Sequence, residues 1–249
     1  MMGATETRTK RGRSLVWLLH LLPVLVLAAC FAYGTTVYPS LPDTIPTHWG
    51  PNGSPDAWSP KTFGTAYFPL LVAAGVSVLL ALVTAALPKM VVPDQEPSAW
   101  ELHRQEGLIR GTIAALGCTS FLIAVLSGFF TVAGWANPDR VPLWPALLLT
   151  ALILGAIPVS YASSSRWARR TALGQGIKPT ALEENEDKLW IVGILYNNPA
   201  DARVLVPKRP GTGIGLTVNV GSPKGRAISI VFTILFVVVP LVLGVIATL

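Results

Sequence analysis

The chain has 249 residues, half of them hydrophobic (51%) and only 13% charged, about half the charged fraction of an ordinary soluble domain. That composition excludes a water-soluble globular protein. A formal net charge of +6 would suit nucleic acid, but the basic residues lie in short segments between long apolar runs, where anionic lipid headgroups are the partner they fit.

A basic tail, residues 1–13, carries Arg8, Lys10, Arg11 and Arg13. The first apolar run, 14–36, has the roughly 20 residues an α-helix needs to cross a bilayer. His20 is the ionisable side chain inside it, a functional-site candidate by its position, and Pro23 is expected to kink the helix. Leu27-Ala28-Ala29-Cys30 has the form of a lipobox behind a signal-like segment. The alternative reading makes Cys30 an ordinary packing residue, since the apolar run continues past it. The loop 37–63 holds six prolines, at 39, 42, 46, 51, 55 and 60, with turn signals at Asn52-Gly53 and Pro55-Asp56. Proline fixes φ and removes a donor, so this segment reads as a stiff, turn-rich loop.

A second span is predicted at 64–87. Ser98 and Glu101 have capping-box spacing, so a helix is expected to start there and lead into the third span, 111–135. His103 and Glu106 on it read as surface groups. Cys118 and Cys30 differ in depth by about 13 Å on this reading, too far for a disulfide. The short loop 136–142 precedes a fourth span at 143–162 that contains Pro158. The long loop 163–226 opens with an acidic run, 183–187, read as a solvated linker. Strand-like stretches follow at 189–196, 204–206 and 216–220, flanking an Asn197-Asn198-Pro199 turn. Gly211, Gly213 and Gly215 lack the order of a phosphate-binding loop. The last span, 227–249, contains Pro240. Trp17, Tyr33, Tyr67, Trp135 and Trp144 near span ends fit interfacial aromatic belts.

Charge orients the spans. The tail, the second loop and the long fourth loop carry seventeen of the nineteen Lys and Arg residues, leaving only Lys61 and Arg140 on the other side. The positive-inside rule therefore predicts a cytoplasmic N-terminus and an extracytoplasmic C-terminus. The expected fold is an all-α integral membrane protein with five transmembrane helices, N-in/C-out, a Pro-rich extracytoplasmic loop and a small cytoplasmic β-hairpin unit. Its divisions are the basic tail (1–13), a two-helix membrane domain (14–90) with the loop 37–63, and a cytoplasmic helix with the third and fourth spans (91–162). The cytoplasmic loop (163–226) follows, with the β unit at 188–221, and then the fifth span (227–249).

Chemistry-bearing residues concentrate in two loops. Asp43, His48 and Asp56 are the ligand-type side chains of the first. Their spacing matches no established metal motif, and a structural or partner-contacting role competes with a metal site. On the structural reading, Asp56 caps a turn or pairs with Lys61. In the long loop, Lys208, Arg209, Lys224 and Arg226 are expected to face lipid phosphates.

The stretch LPDTIPTHWGPNGSPDAWSPK resembles the signature LPxxIPxHxxxxGxPDxWxxK of a bacterial membrane domain of unknown function. That domain forms the N-terminal part of SdpI-like proteins, which protect a producing cell from its own membrane-active peptide. Leu41, Pro42, Ile45, Pro46, His48, Gly53, Pro55, Asp56, Trp58 and Lys61 fall on the pattern, and Trp49 stands where Phe or Tyr is commoner. A second segment, carrying Trp190, Gly193, Tyr196, Asn198, Pro199, Asp201, Val206, Lys208, Arg209, Gly213 and Asn219, resembles another domain of unknown function found on the same proteins.

The resemblance implies a non-enzymatic immunity or signalling protein of the plasma membrane, with no cofactor. Asp43, His48, Asp56, Trp58 and Lys61 would bind a membrane-active peptide or envelope component outside. Trp190, Tyr196, Lys208 and Arg209 would dock a regulator or lipid surface inside. A membrane subunit of a transport complex and a metal-dependent membrane hydrolase are the alternatives.

Overall fold

The computed structural model of the chain describes residues 10–90, 97–209 and 215–248. In chain order the elements are α1 (Arg13–Trp17), a 3-10 turn (Leu18–Leu21), α2 (Leu22–Val37), β1 (Thr44–Trp49), β2 (Pro55–Pro60), α3 (Phe63–Met90), α4 (Ala99–Ala136) and α5 (Trp144–Gly174). They continue with α6 (Ala181–Lys188), β3 (Trp190–Ile191), β4 (Leu195–Tyr196), β5 (Leu205–Pro207), β6 (Leu216–Val218), α7 (Pro223–Thr233), a π-helical turn (Ile234–Val238) and α8 (Val239–Thr248). Among the described residues, five helical runs are long and apolar enough to cross a membrane: Arg13–Ser40, Phe63–Pro88, Ala99–Ala136, Trp144–Gly174 and Pro223–Ile246. The chain is a multi-pass membrane protein.

Proline explains two of the irregularities. Pro23 stands in the first turn of α2, where its missing N–H and its ring prevent a regular α-helix from running through, and the tighter 3-10 turn bridges the gap. Pro240 follows the π-helical turn and removes a donor at the same place in the ladder. Large apolar side chains on the last run, such as Phe232, Leu235 and Phe236, are exposed, as contact with lipid requires.

The chain divides into two compact units. One comprises the described parts of Trp17–Leu82, Leu116–Ala156 and Val239–Leu249. Its core gathers Leu27, Leu41, Ile45, Ala66, Tyr67, Leu70, Ala73 and Ala124. Small residues bring the helices together, because in lipid the helices associate by close packing and hydrogen bonding. A Cβ on Gly34 would stand 2.6 Å from both Trp135 and Tyr67, and one on Gly128 would stand 2.8 Å from Cys30 Sγ. Ser120 donates to Ser77 Oγ at 2.9 Å. His20 is buried, with Trp17 at 5.0 Å between ring centroids and Gly117 against its ring. Cys30 and Cys118 are both free thiols.

The Pro-rich segment of this unit, expected as a stiff, turn-rich loop, is a β-hairpin. β1 pairs antiparallel with β2, with register shifts around His48. A two-stranded ribbon has only edge strands, where Pro46, Pro55 and Pro60 remove no obligatory ladder bond. The tip closes through Gly50 N–H to Ser54 O at 2.8 Å and Ser54 N–H to Asn52 Oδ1 at 3.0 Å. Gly53 takes φ +77°, and a Cβ there would lie 2.5 Å from the Val141 carbonyl oxygen. Val141 N–H donates to Gly53 O at 2.9 Å.

The second unit comprises the described parts of Met1–Val16, Val83–Ala115 and Ile157–Val238. Here α4 and α5 meet through Gly107 on Ala168 and Gly111 on Tyr161, with Thr112 and Tyr161 hydroxyls 2.9 Å apart. Ser98 caps α4 as expected, accepting from Glu101 N–H at 3.0 Å, but Glu101 binds Arg104 instead of completing the box. Three sequence expectations are corrected. Residues 183–187 are no solvated linker: they lie in α6, which opens with a complete capping box between Thr180 and Glu183. His103 and Glu106 are not surface groups, being 1% and 3% exposed. For Glu106 and for α6 the cause is polar partners from distant parts of the chain that a local reading does not see: Arg13 for the first, Ser98, Trp100 and Arg209 for the second. The third concerns Arg209 and is taken up with its site.

Candidate functional site

On the Pro-rich hairpin, register brings together two of the three expected ligand-type residues. The bulge in β1 sets His48 opposite Ala57, next to Asp56, and His48 Nδ1 lies 2.5 Å from Asp56 Oδ1. Both side chains are more than half exposed. Asp56 therefore pairs with His48 rather than with Lys61. The Lys61 ammonium donates to the Leu41 carbonyl at 2.5 Å and lies 5.6 Å from the centre of the Tyr38 ring, so Lys61 ties the hairpin base to the end of the first helical run. Asp43 contributes its carbonyl, which accepts from Lys61 N–H at 2.7 Å. Among the described residues no three His, Cys, Asp or Glu side chains converge in a way that could hold a metal. Trp58 projects with half its surface exposed.

The other side of the hairpin is apolar. Ile45, Pro46 and Trp49 wall a cavity of about 300 Å³ together with Phe68 of α3 and Phe130 and Trp135 of α4. Trp49 packs on Gly134 and donates its indole N–H to the Pro138 carbonyl at 3.2 Å, which fixes the hairpin over the helix end. Phe68 and Leu71 at the cavity edge are exposed. One short ribbon thus presents a polar His–Asp pair with Trp58 and, through other residues, an apolar recess. Sequence reasoning found the pair but missed the recess, because the rest of its wall comes from α3 and from α4, the latter some eighty residues away.

In the 180–222 segment, Trp190 and Tyr196 are register partners in the β3/β4 ladder, with ring centroids 5.2 Å apart. Tyr196 OH accepts from Asn198 Nδ2 at 2.9 Å. Lys208 is exposed. Arg209 does not face lipid phosphates as expected: it is 3% exposed, with Nε 3.1 Å from Glu186 and Nη1 2.5 Å from Asp187. Asp187 also accepts from the Trp100 indole at 2.9 Å. Two acids, one of them also fixed by the indole, out-compete solvent for this guanidinium. Gly211 and Gly213 lie outside the described residues.

Asn219 holds this segment together. Fully buried, it accepts from the N–H groups of Asn198 and Gly221 and donates to the carbonyls of Asn198 (3.0 Å) and Asp201 (2.8 Å). Asp201 in turn binds Arg203. The hydrogen bonds from that guanidinium hold the Asp201 carboxyl down at about 2. A separate buried group joins the N-terminal arm to α4: Glu106 binds both Arg13 and Arg110, and Arg110 stacks 3.8 Å from the centre of the Trp167 ring.

Comparison with known families returns a match over residues 25–73, to a family described as "Domain of unknown function (DUF1648)". The matched stretch holds most of α2, the whole hairpin and the start of α3. No curated protein matches the chain, and no solved structure does.

Proposed function

We propose that the protein is a non-enzymatic plasma-membrane protein of SdpI-like immunity or signalling type, whose hairpin recognises an amphipathic, membrane-active peptide outside the cell. The observation that carries this reading is the two-sided hairpin. A membrane-active peptide offers an apolar face and a charged or hydrogen-bonding face. The cavity of about 300 Å³ behind Ile45, Pro46 and Trp49 fits the first. The exposed His48–Asp56 pair and Trp58 fit the second. The family match over 25–73 covers this hairpin, and the charge distribution favours its lying outside, opposite the basic loops. On the inside, exposed Lys208, Lys224 and Arg226 form the docking face for a regulator or anionic lipid.

The test is survival of cells with and without the gene under a panel of membrane-active peptides. Deletion is expected to sensitise cells to particular members of the panel, with rescue by wild type and not by His48→Ala or Asp56→Asn at equal membrane abundance. Indifference to the whole panel would refute the immunity reading.

A further inference from the structure

The helix-lined part of the second unit contains a second cavity, of about 220 Å³, that shares no residue with the hairpin. Its wall includes His103, whose Nδ1 is 2.8 Å from the Ala99 carbonyl one helical turn back. A carbonyl only accepts, so Nδ1 carries the proton, and the opposite ring edge presents Nε2 away from the helix backbone. Nε2 is buried without a hydrogen-bond partner, on a side chain 1% exposed. A buried polar atom left unpaired keeps its desolvation cost, which a ligand donor would recover.

The remaining wall defines that ligand. Arg104, Arg169 and Arg209 line the cavity with Asp187. Arg104 is held by Glu101 at 2.8 Å and Arg209 by Glu186 and Asp187. Arg169 is exposed and makes no ion pair among the described residues. Guanidinium forks match phosphoryl oxygens in geometry and charge. Trp100 supplies an apolar face. The volume lies below the roughly 300 Å³ at which drug-sized pockets begin, too small for a nucleotide.

We propose that this cavity binds a small phosphoryl group bearing a hydroxyl, of the glycerol-phosphate type, with Arg169 meeting the oxyanion and His103 Nε2 accepting from the hydroxyl. The same chemistry is presented by free glycerol phosphate and by the headgroup of a glycerophosphoglycerol lipid. The experiment has one arm for each, using the full chain in nanodiscs. Free glycerol 3-phosphate is titrated by calorimetry into protein in phosphatidylcholine nanodiscs. Retention of phosphatidylglycerol over phosphatidylcholine is measured by native mass spectrometry.

Saturable binding in the first arm assigns a soluble ligand, and selective retention in the second assigns the lipid. In whichever arm binds, Arg169→Gln is expected to weaken binding about tenfold and His103→Leu at least as much. Because the Arg169 side chain is exposed, its substitution leaves the fold intact. No binding in either arm, or binding indifferent to both substitutions, overturns the proposal. Survival under peptides does not enter this test, so it stands or falls apart from the hairpin's role.

Discussion

Gly53 shows how a single position can be required by geometry alone. Its φ of +77° and the 2.5 Å that would separate a Cβ from Val141 O leave no room for alanine. Gly53→Ala is expected to destabilise the hairpin by about 2–3 kcal/mol, visible as faster amide exchange across residues 44–60. Asn219 answers to a different physics, since its side chain serves four backbone groups in a buried place. Asn219→Ala should cost about 3 kcal/mol, read as a lower melting temperature of the purified protein. Asp201 brings in pH. Its folded-state value of about 2 lies below the ordinary 3.8, so its contribution is present above the ordinary value and is lost as pH falls through the folded one. Arg203→Gln should raise the Asp201 carboxyl toward its ordinary value, measurable by carboxyl-detected NMR titration. An unmoved titration would mean that Arg203 is not the cause.

At the scale of elements, the strength of the local signal decided what the sequence disclosed. The membrane helices were legible because the cost of charge in lipid keeps each run apolar along its length, although their ends moved: α5 continues past the expected 162 to Gly174, and α7 starts behind the Ser222 cap. The hairpin was hidden by its prolines, which report a missing donor and say nothing about whether the strand is an edge. Helix α6 was hidden by its acids: 183–187 reads as solvated until Ser98, Trp100 and Arg209 are known to meet it. Of the candidate site, His48 and Asp56 could be read from motif spacing, whereas the recess beneath them and the burial of His103 depend on tertiary neighbours. The capping box of α6 makes a direct prediction. Thr180→Ala should cost about 1 kcal/mol and increase exchange in residues 181–188 before the rest of the segment.

For the whole molecule, the organising facts are the five helical runs among the described residues that are long and apolar enough to cross a membrane and the concentration of Lys and Arg in alternate connecting segments. With Cys30 and Cys118 replaced, Ala57→Cys is expected to react with an impermeant thiol reagent in intact cells. Lys178→Cys should react only after permeabilisation, and the opposite pattern would invert the orientation. The central claim is that the hairpin and its recess take up an amphipathic peptide, and one binding measurement tests it most directly. A fluorescent membrane-active peptide that the survival panel selects is titrated onto the full chain in nanodiscs, against Gly64→Trp. Gly64 lines the recess, and a Cβ on it would meet nothing closer than 3.8 Å, so the indole has space to enter and block it. Saturable binding that falls at least tenfold in Gly64→Trp is the predicted result. Binding equal to that of empty nanodiscs, or unchanged by the blocked recess, would contradict it.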